Sequence, residues 1–152
     1  MKPHSAPSDH KQHVTDPIAH FKAIPWCAEL LSSPGVMNVT IPERKVLPSG
    51  ESNFVRKVMN SGTTVRACVT FFQLVNKRTL AADKRPMSKS TELLQGGGKA
   101  DGEDPKNPFI LMTALLDLGE DMCSYPGMLH GGLYSVLLDE VMGTAANFQT
   151  GK

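Results

Sequence analysis

The chain has 152 residues, a formal net charge of +1 and 20% charged residues, enough for one domain with an irregular portion. Near-neutral charge excludes a strongly basic nucleic-acid binder and an acidic tail protein, and no apolar run is long enough to span a bilayer. Glycine and proline are abundant, at 13 and 11 residues, and imply long non-repetitive stretches.

The first 17 residues are polar, rich in proline and histidine, without an apolar core or arginine. They predict a disordered tail rather than a secretory or mitochondrial leader. Asp16-Pro17 has the chemistry of an N-cap followed by a first-turn proline, and a helix is expected over Ile18 to Ser33. Pro25 breaks that helix or starts a second one, and Ser33-Pro34-Gly35 stops it. Met37 to Ile41 is short and β-branched, and Pro42 to Ser52 is a polar loop. Phe54 to Met59 and Thr64 to Val75 predict a hairpin turning at Asn60-Ser61-Gly62. Residues 18–83 thus form a helix-and-hairpin region, and 84–108 a charged, glycine-containing linker.

Gly96-Gly97-Gly98 in that linker is not a phosphate loop. The required upstream glycine is Leu93, the required hydroxyl residue is Ala100, and neither a strand nor a helix flanks the run. Cys27, Cys68 and Cys123 are odd in number and form no C-x-x-C, which predicts neither a disulfide framework nor a zinc site, and a cytoplasmic-type, reducing compartment. His4, His10, His13 and His20 have no tetrahedral ligand spacing, so no metal and no cofactor are expected. Cys123 has the character of a buried small hydrophobe rather than a nucleophile.

The core-forming material lies at the C-terminal end. Residues 109–152 hold five acidic residues and one basic one, leaving +5 on the remainder. In Phe109 to Leu118, alternation puts Ile110, Met112, Ala114, Leu116 and Leu118 on one strand face and Thr113 and Asp117 on the other. Its leucine, methionine and alanine also suit a helix, so periodicity leaves both open. Gly119 to Leu129 is a turn-rich connector, and Gly132 to Asn147 is the strongest helix of the chain.

Gly131 and Gly132 stand directly before that helix, whose first turn has free N–H groups and the positive end of the helix dipole and can hold an anion or a developing oxyanion. A helix entered through a flexible turn explains the same glycines. The helix is apolar all round and is expected to be buried. Asp139 lies in its middle on a stripe with Ser135, Met142 and Ala146, and no lysine or arginine occurs between Lys106 and Lys152. A buried carboxylate without a local partner suits a general base; a partner from elsewhere in the fold is the competing explanation. His130 and Asp139 are nine residues apart, two and a half helical turns, and point to opposite sides. If both serve one site, Asp139 comes from a second copy of the chain.

Leu129-His130-Gly131-Gly132, followed by Leu137-Leu138-Asp139-Glu140 and Gly143, resembles the hotdog-fold acyl-CoA thioesterases. The branch includes bacterial phenylacetate-pathway thioesterases, animal thioesterase-superfamily members and fungal homologues. His20-Phe21, Ile24-Pro25-Trp26-Cys27 and Thr64-Val65-Arg66-Ala67 are more loosely similar to the fungal members. The resemblance implies an α+β, hotdog-type fold in which a curved antiparallel sheet wraps the central helix, and it makes Phe109 to Leu118 the first strand. Residues 109–152 would then be the N-terminal part of a hotdog domain whose remaining strands, about four of them, do not follow. It further implies a homodimer with active sites at the interface, acting on an acyl-CoA or acyl-carrier thioester. The Gly131 and Gly132 amides would polarise the thioester carbonyl, Asp139 of the facing protomer would act as base or nucleophile, and His130 would shape the turn. Ser124, Leu129, Ser135 and Met142 would line the substrate. Where several relatives carry an asparagine six or seven residues before the histidine, this chain has Ser124 and Cys123. The competing expectation is a catalytically weak or inactive acyl-binding protein that pairs with a complete homologue. With so little sheet to cover the helix, a weakly stable chain with a poorly protected C-terminal helix is expected.

Overall fold

A computed structural model describes residues 9–74 and 110–150. The expected linker over 84–108, with Gly96-Gly97-Gly98, lies outside the described residues, as does His4. Asp16 caps helix α1 (Pro17–Lys22) by accepting the Ala19 N–H at 3.0 Å, and Pro17 occupies the first turn. Pro25, which cannot donate to a continuing helix, opens α2 (Pro25–Leu31) instead. Gly35, at φ 85°, then turns the chain into β1 (Val36–Thr40).

β1 pairs antiparallel with β2 (Val65–Leu74), and β2 pairs antiparallel with β3 (Ile110–Leu118), giving a three-stranded sheet in the order β1–β2–β3. The molecule is therefore α+β with a small antiparallel sheet. The hairpin expected between Phe54 to Met59 and the following strand does not form. Phe54–Val58 is a π-helical turn, and the β2 edge it would have used is taken by β1, with Val36 opposite Gln73 and Met37 opposite Phe72. Only Met59 of that segment is buried, whereas Phe54 and Val58 face solvent. Asn60-Ser61-Gly62 still reverses the chain. The Ser61 and Thr64 hydroxyls lie 2.9 Å apart, and each also accepts the other residue's backbone N–H.

The sheet has two covered faces. On one, Phe21, Cys27 and Leu31 of α1 and α2 pack on Ala67, Val69, Phe71 and Leu115. On the other, Met59, Val65, Cys68 and Met122 form a second cluster, against which Leu116, Leu118, Leu133, Val136 and Leu137 are half-buried. Strict alternation would put Val65 and Ala67 on one face. The register shifts between them, from Val65 opposite Leu118 to Ala67 opposite Asp117, and this bulge sends them to opposite faces. The bulged residue, Arg66, donates to Asp117 at 2.5 Å, and Asp117 also pairs with His20 at 2.9 Å, which closes α1 onto the sheet. The Asp117 hydrogen bond, and then its charge, raise the Arg66 pKa above its ordinary value.

Residues 9–16, within the segment expected to be a disordered tail, are held along the sheet edge. The Gln12 side chain accepts the Cys68 N–H at 2.7 Å and donates to the carbonyls of Cys68 and Pro42 at 3.1 and 2.8 Å. It thus satisfies the β2 edge just past Thr40 opposite Thr70, where the β1 ladder ends. His10 is buried, with Nδ1 accepting from Gln12 N–H and Nε2 therefore the nitrogen that donates to the Thr15 carbonyl. These long-range bonds, invisible to local composition, account for the order of a polar segment.

After β3, Gly119 passes against the backbone of Thr63. A Cβ there would lie 2.3 Å from the Thr63 carbonyl, so only glycine fits. The Gly119 N–H donates to the Thr64 carbonyl at 2.6 Å, and the Asp121 N–H donates to that of Thr63 at 2.9 Å. A small hairpin of β4 (Cys123–Tyr125) and β5 (Met128–Leu129) leads into the final helix, α3 (Gly131–Thr150). The far end of α3 is anchored by stacking of Phe148 on Phe72, with ring centroids 4.2 Å apart, and by a bond from Ile110 N–H to Gln149 Oε1 at 3.3 Å.

Candidate functional site

The entrance to α3 is built by a hydrogen-bonded chain from the β-hairpin. His130 donates its backbone N–H to the Met122 carbonyl at 2.9 Å, and its own carbonyl accepts from Leu133 and Tyr134, starting the helix. Its ring turns back, so that Nδ1 accepts the Gly132 N–H at 3.1 Å. His130 therefore caps the helix, and the Gly132 amide is engaged by that cap. A Cβ at Gly132 would press on the imidazole at 3.2 Å, so glycine lets the cap close. The Gly131 N–H donates to no acceptor among the described residues, and a Cβ on Gly131 would meet nothing within 4 Å. One helix-terminal amide is thus open to an incoming oxygen.

Asp139 stands elsewhere. It is two residues, about 200° of helix rotation, from both Leu137 and Val141, which face the sheet. It is accordingly exposed, together with Ser135, Met142 and Ala146. The expectation of a buried helix with a desolvated carboxylate does not hold within one chain. No α3 residue is buried; Leu133, Val136, Leu137, Val141, Ala145 and Gln149 are half-buried, and Met142 keeps 66% of its surface. The physical reason is coverage. Only one side of α3 has sheet behind it, so the apolar residues on its other sides remain in solvent.

The structure brings Leu129, His130, Gly131 and Gly132 together at the helix entrance. Leu129 is half-buried against the second cluster, whereas Ser124 is exposed on β4. Ser124 borders a shallow open depression shared with Arg66, Glu120, Cys123, Tyr125 and Gly127. Ser135, Asp139 and Met142 are exposed on α3, Ser135 one helical turn beyond Gly131 and Asp139 and Met142 further along the helix.

A second concavity was not anticipated. A cavity of about 280 Å³ lies between the middle of α3, the sheet and the Pro42–Ser52 loop. Leu137, Glu140 and Val141 border it from the helix and Ala114 and Leu116 from β3, and Arg44 and Arg56 also line it. Arg44 sits in the charge run Glu43-Arg44-Lys45, which by composition belongs to a solvated loop, so no local signal marks it. Among the described residues no group of three histidine, cysteine or acidic side chains is arranged to hold a metal. No helix there is long and apolar enough to cross a membrane. No family model matches the chain, and neither does any curated protein or solved structure.

Proposed function

We propose that the chain belongs to a hotdog-type acyl-thioester hydrolase, acting on an acyl-CoA or acyl-carrier thioester at an interface between two copies. One observation carries the reading. The open Gly131 amide sits at the N-terminus of a 20-residue helix that lies on an antiparallel sheet. A thioester carbonyl oxygen approaching that amide meets a hydrogen-bond donor and the positive helix end, both of which interact more strongly with the oxyanion of the tetrahedral intermediate than with the ground-state carbonyl. His130 holds the turn through its bond to the Gly132 amide and leaves the Gly131 N–H without an acceptor among the described residues. Asp139, exposed on the outer side of α3, is available to a second copy, where it would deprotonate water or attack the carbonyl. Ser124, Leu129, Ser135 and Met142 are the proposed substrate contacts, and the acyl chain runs beside the apolar helix.

The second reading, a catalytically weak acyl-binding protein that pairs with a complete homologue, is favoured by the engaged Gly132 amide, which leaves one donor where two were expected. Release of free thiol from short, aromatic and long acyl-CoA esters separates the two. Hydrolysis should be detectable and should fall by at least about a hundredfold in Asp139→Asn, which keeps the shape and removes the charge. A folded protein that binds acyl-CoA without releasing thiol supports the binding reading; one that neither binds nor hydrolyses it eliminates both.

A further inference from the structure

Arg44 is a buried cation without a counter-charge. It keeps 7% of its surface, its backbone N–H donates to the His10 carbonyl at 2.7 Å, and Nη1 donates to the Val55 carbonyl at 3.0 Å. Among the described residues the contacts of a basic side chain with a carboxylate within 4.0 Å are Lys11 with Asp9, and His20 and Arg66 with Asp117; none involves Arg44. The neighbouring Cys68 does not supply the missing charge. Burial, the larger influence, holds its thiol pKa above the ordinary value despite the opposing pull of Arg44, so Cys68 is neutral at pH 7. An uncompensated buried guanidinium is costly, and such groups are ordinarily paired.

The space beside Arg44 has the complementary character. The 280 Å³ cavity it borders is also walled by Met59, Ala114, Leu116, Leu137 and Val141. At about 30 Å³ for a water-sized group, it holds on the order of nine or ten heavy atoms. Two carboxylates, Glu43 and Glu140, also border it, but both are exposed and screened by solvent, and Arg56 adds a second cation. The buried end is thus positive and the wall apolar.

We propose that this cavity binds a small amphipathic carboxylate, its head group paired with the Arg44 guanidinium and its hydrocarbon against α3 and β3. A planar guanidinium matches a carboxylate in a two-point contact. A phosphate dianion is less well suited, because Arg56 already donates through Nη1 to the carbonyls of Glu43 and Lys45, at 3.2 and 2.8 Å, and the two glutamates oppose added charge. The site does not rest on the thioesterase reading. Leu137, where the cavity meets the helix, is six residues from Gly131, about 9 Å along the axis.

Titration calorimetry of the full chain with octanoate, octanol and octyl phosphate tests it. Octanoate should bind at least about tenfold more tightly than octanol, the difference expected of a charge-assisted contact. Arg44→Gln should remove that preference and leave octanol binding in place. Because Arg44 also braces Val55, Ala114→Leu gives a second test that keeps every charge; it fills the cavity and should abolish binding of both octanoate and octanol. Equal affinity for octanoate and octanol, no octanoate binding, tighter binding of octyl phosphate, or octanoate binding that survives Ala114→Leu would each overturn the proposal. Thiol release from acyl-CoA should persist in both variants, so loss of this site and loss of the hydrolase reading are told apart.

Discussion

The two faces of one small sheet are finished very differently. α1 and α2 together are shorter than α3, yet they bury Phe21, Cys27 and Leu31 against Phe71 and its neighbours. α3 buries none of its residues fully. The difference is one of contact rather than length. The short helices are held by a capped proline start, by the His20–Asp117–Arg66 cluster and by the strap of residues 9–16, whereas α3 touches the sheet along one stripe and at its Phe148 end. The open Gly131 amide and the Arg44 cavity both lie on the less covered face. Stability and candidate chemistry are divided between the two sides of the same three strands.

The largest expected effect comes from truncating the sealed face. Phe71 is fully buried, and Phe71→Ala should cost about 3–5 kcal/mol in denaturant unfolding. Leu138 on α3 is 45% exposed, and Leu138→Ala should stay within about 0.5 kcal/mol. Comparable losses at the two positions would mean that α3 is covered in solution and would remove the contrast.

The strap is next. Gln12→Ala leaves the Cys68 N–H and carbonyl without their partner on that edge, and unsatisfied buried backbone groups cost about 1–3 kcal/mol each. A loss of about 2–4 kcal/mol, scarcely repaired in Gln12→Glu, which lacks the amide donor, is expected. An effect below about 0.5 kcal/mol would return residues 9–16 to the status of a loose tail.

These residues also mark what local reading reaches and what it does not. The Asp16-Pro17 cap and the break at Pro25 are written in neighbouring residues and lie where the sequence puts them, and the final helix starts at Gly131, one residue before the expected Gly132; Ile110 to Leu118, whose periodicity leaves strand and helix open, becomes a strand by pairing with β2. Gln12 reaches Cys68 across 56 positions, and Arg44 is held by the His10 carbonyl and lies beside Cys68, both distant in sequence, so neither has a local signature. Phe54 to Met59 has strand-forming residues but meets a β2 edge already paired with β1, and tertiary pairing overrides its propensity. Of the candidate site, the His130-Gly131-Gly132 turn is legible in the sequence. The exposure of Asp139 is not, because an apolar helix signals burial without stating how much sheet is present to provide it.

The smallest expected effect is alkaline. Burial raises the Cys68 pKa in the folded protein, so its contribution is fully present below the unfolded thiol value of about 8.5 and is lost as pH rises through the folded one. Unfolding free energy should fall above pH about 8.5, and Cys68→Ala should flatten that limb relative to the parent. An alkaline limb unchanged in Cys68→Ala would assign it to other groups.

Amide hydrogen exchange read by mass spectrometry, with and without a non-hydrolysable acyl-CoA thioether, tests the division of labour most directly. Without ligand, α1, α2 and β2 should exchange slowly and Leu133 to Val141 quickly; with ligand, protection should rise from Leu129 through Val141 and stay unchanged in α1 and α2. Slow exchange across Leu133 to Val141 without ligand, or ligand protection confined to the α1–α2 face, would contradict the account.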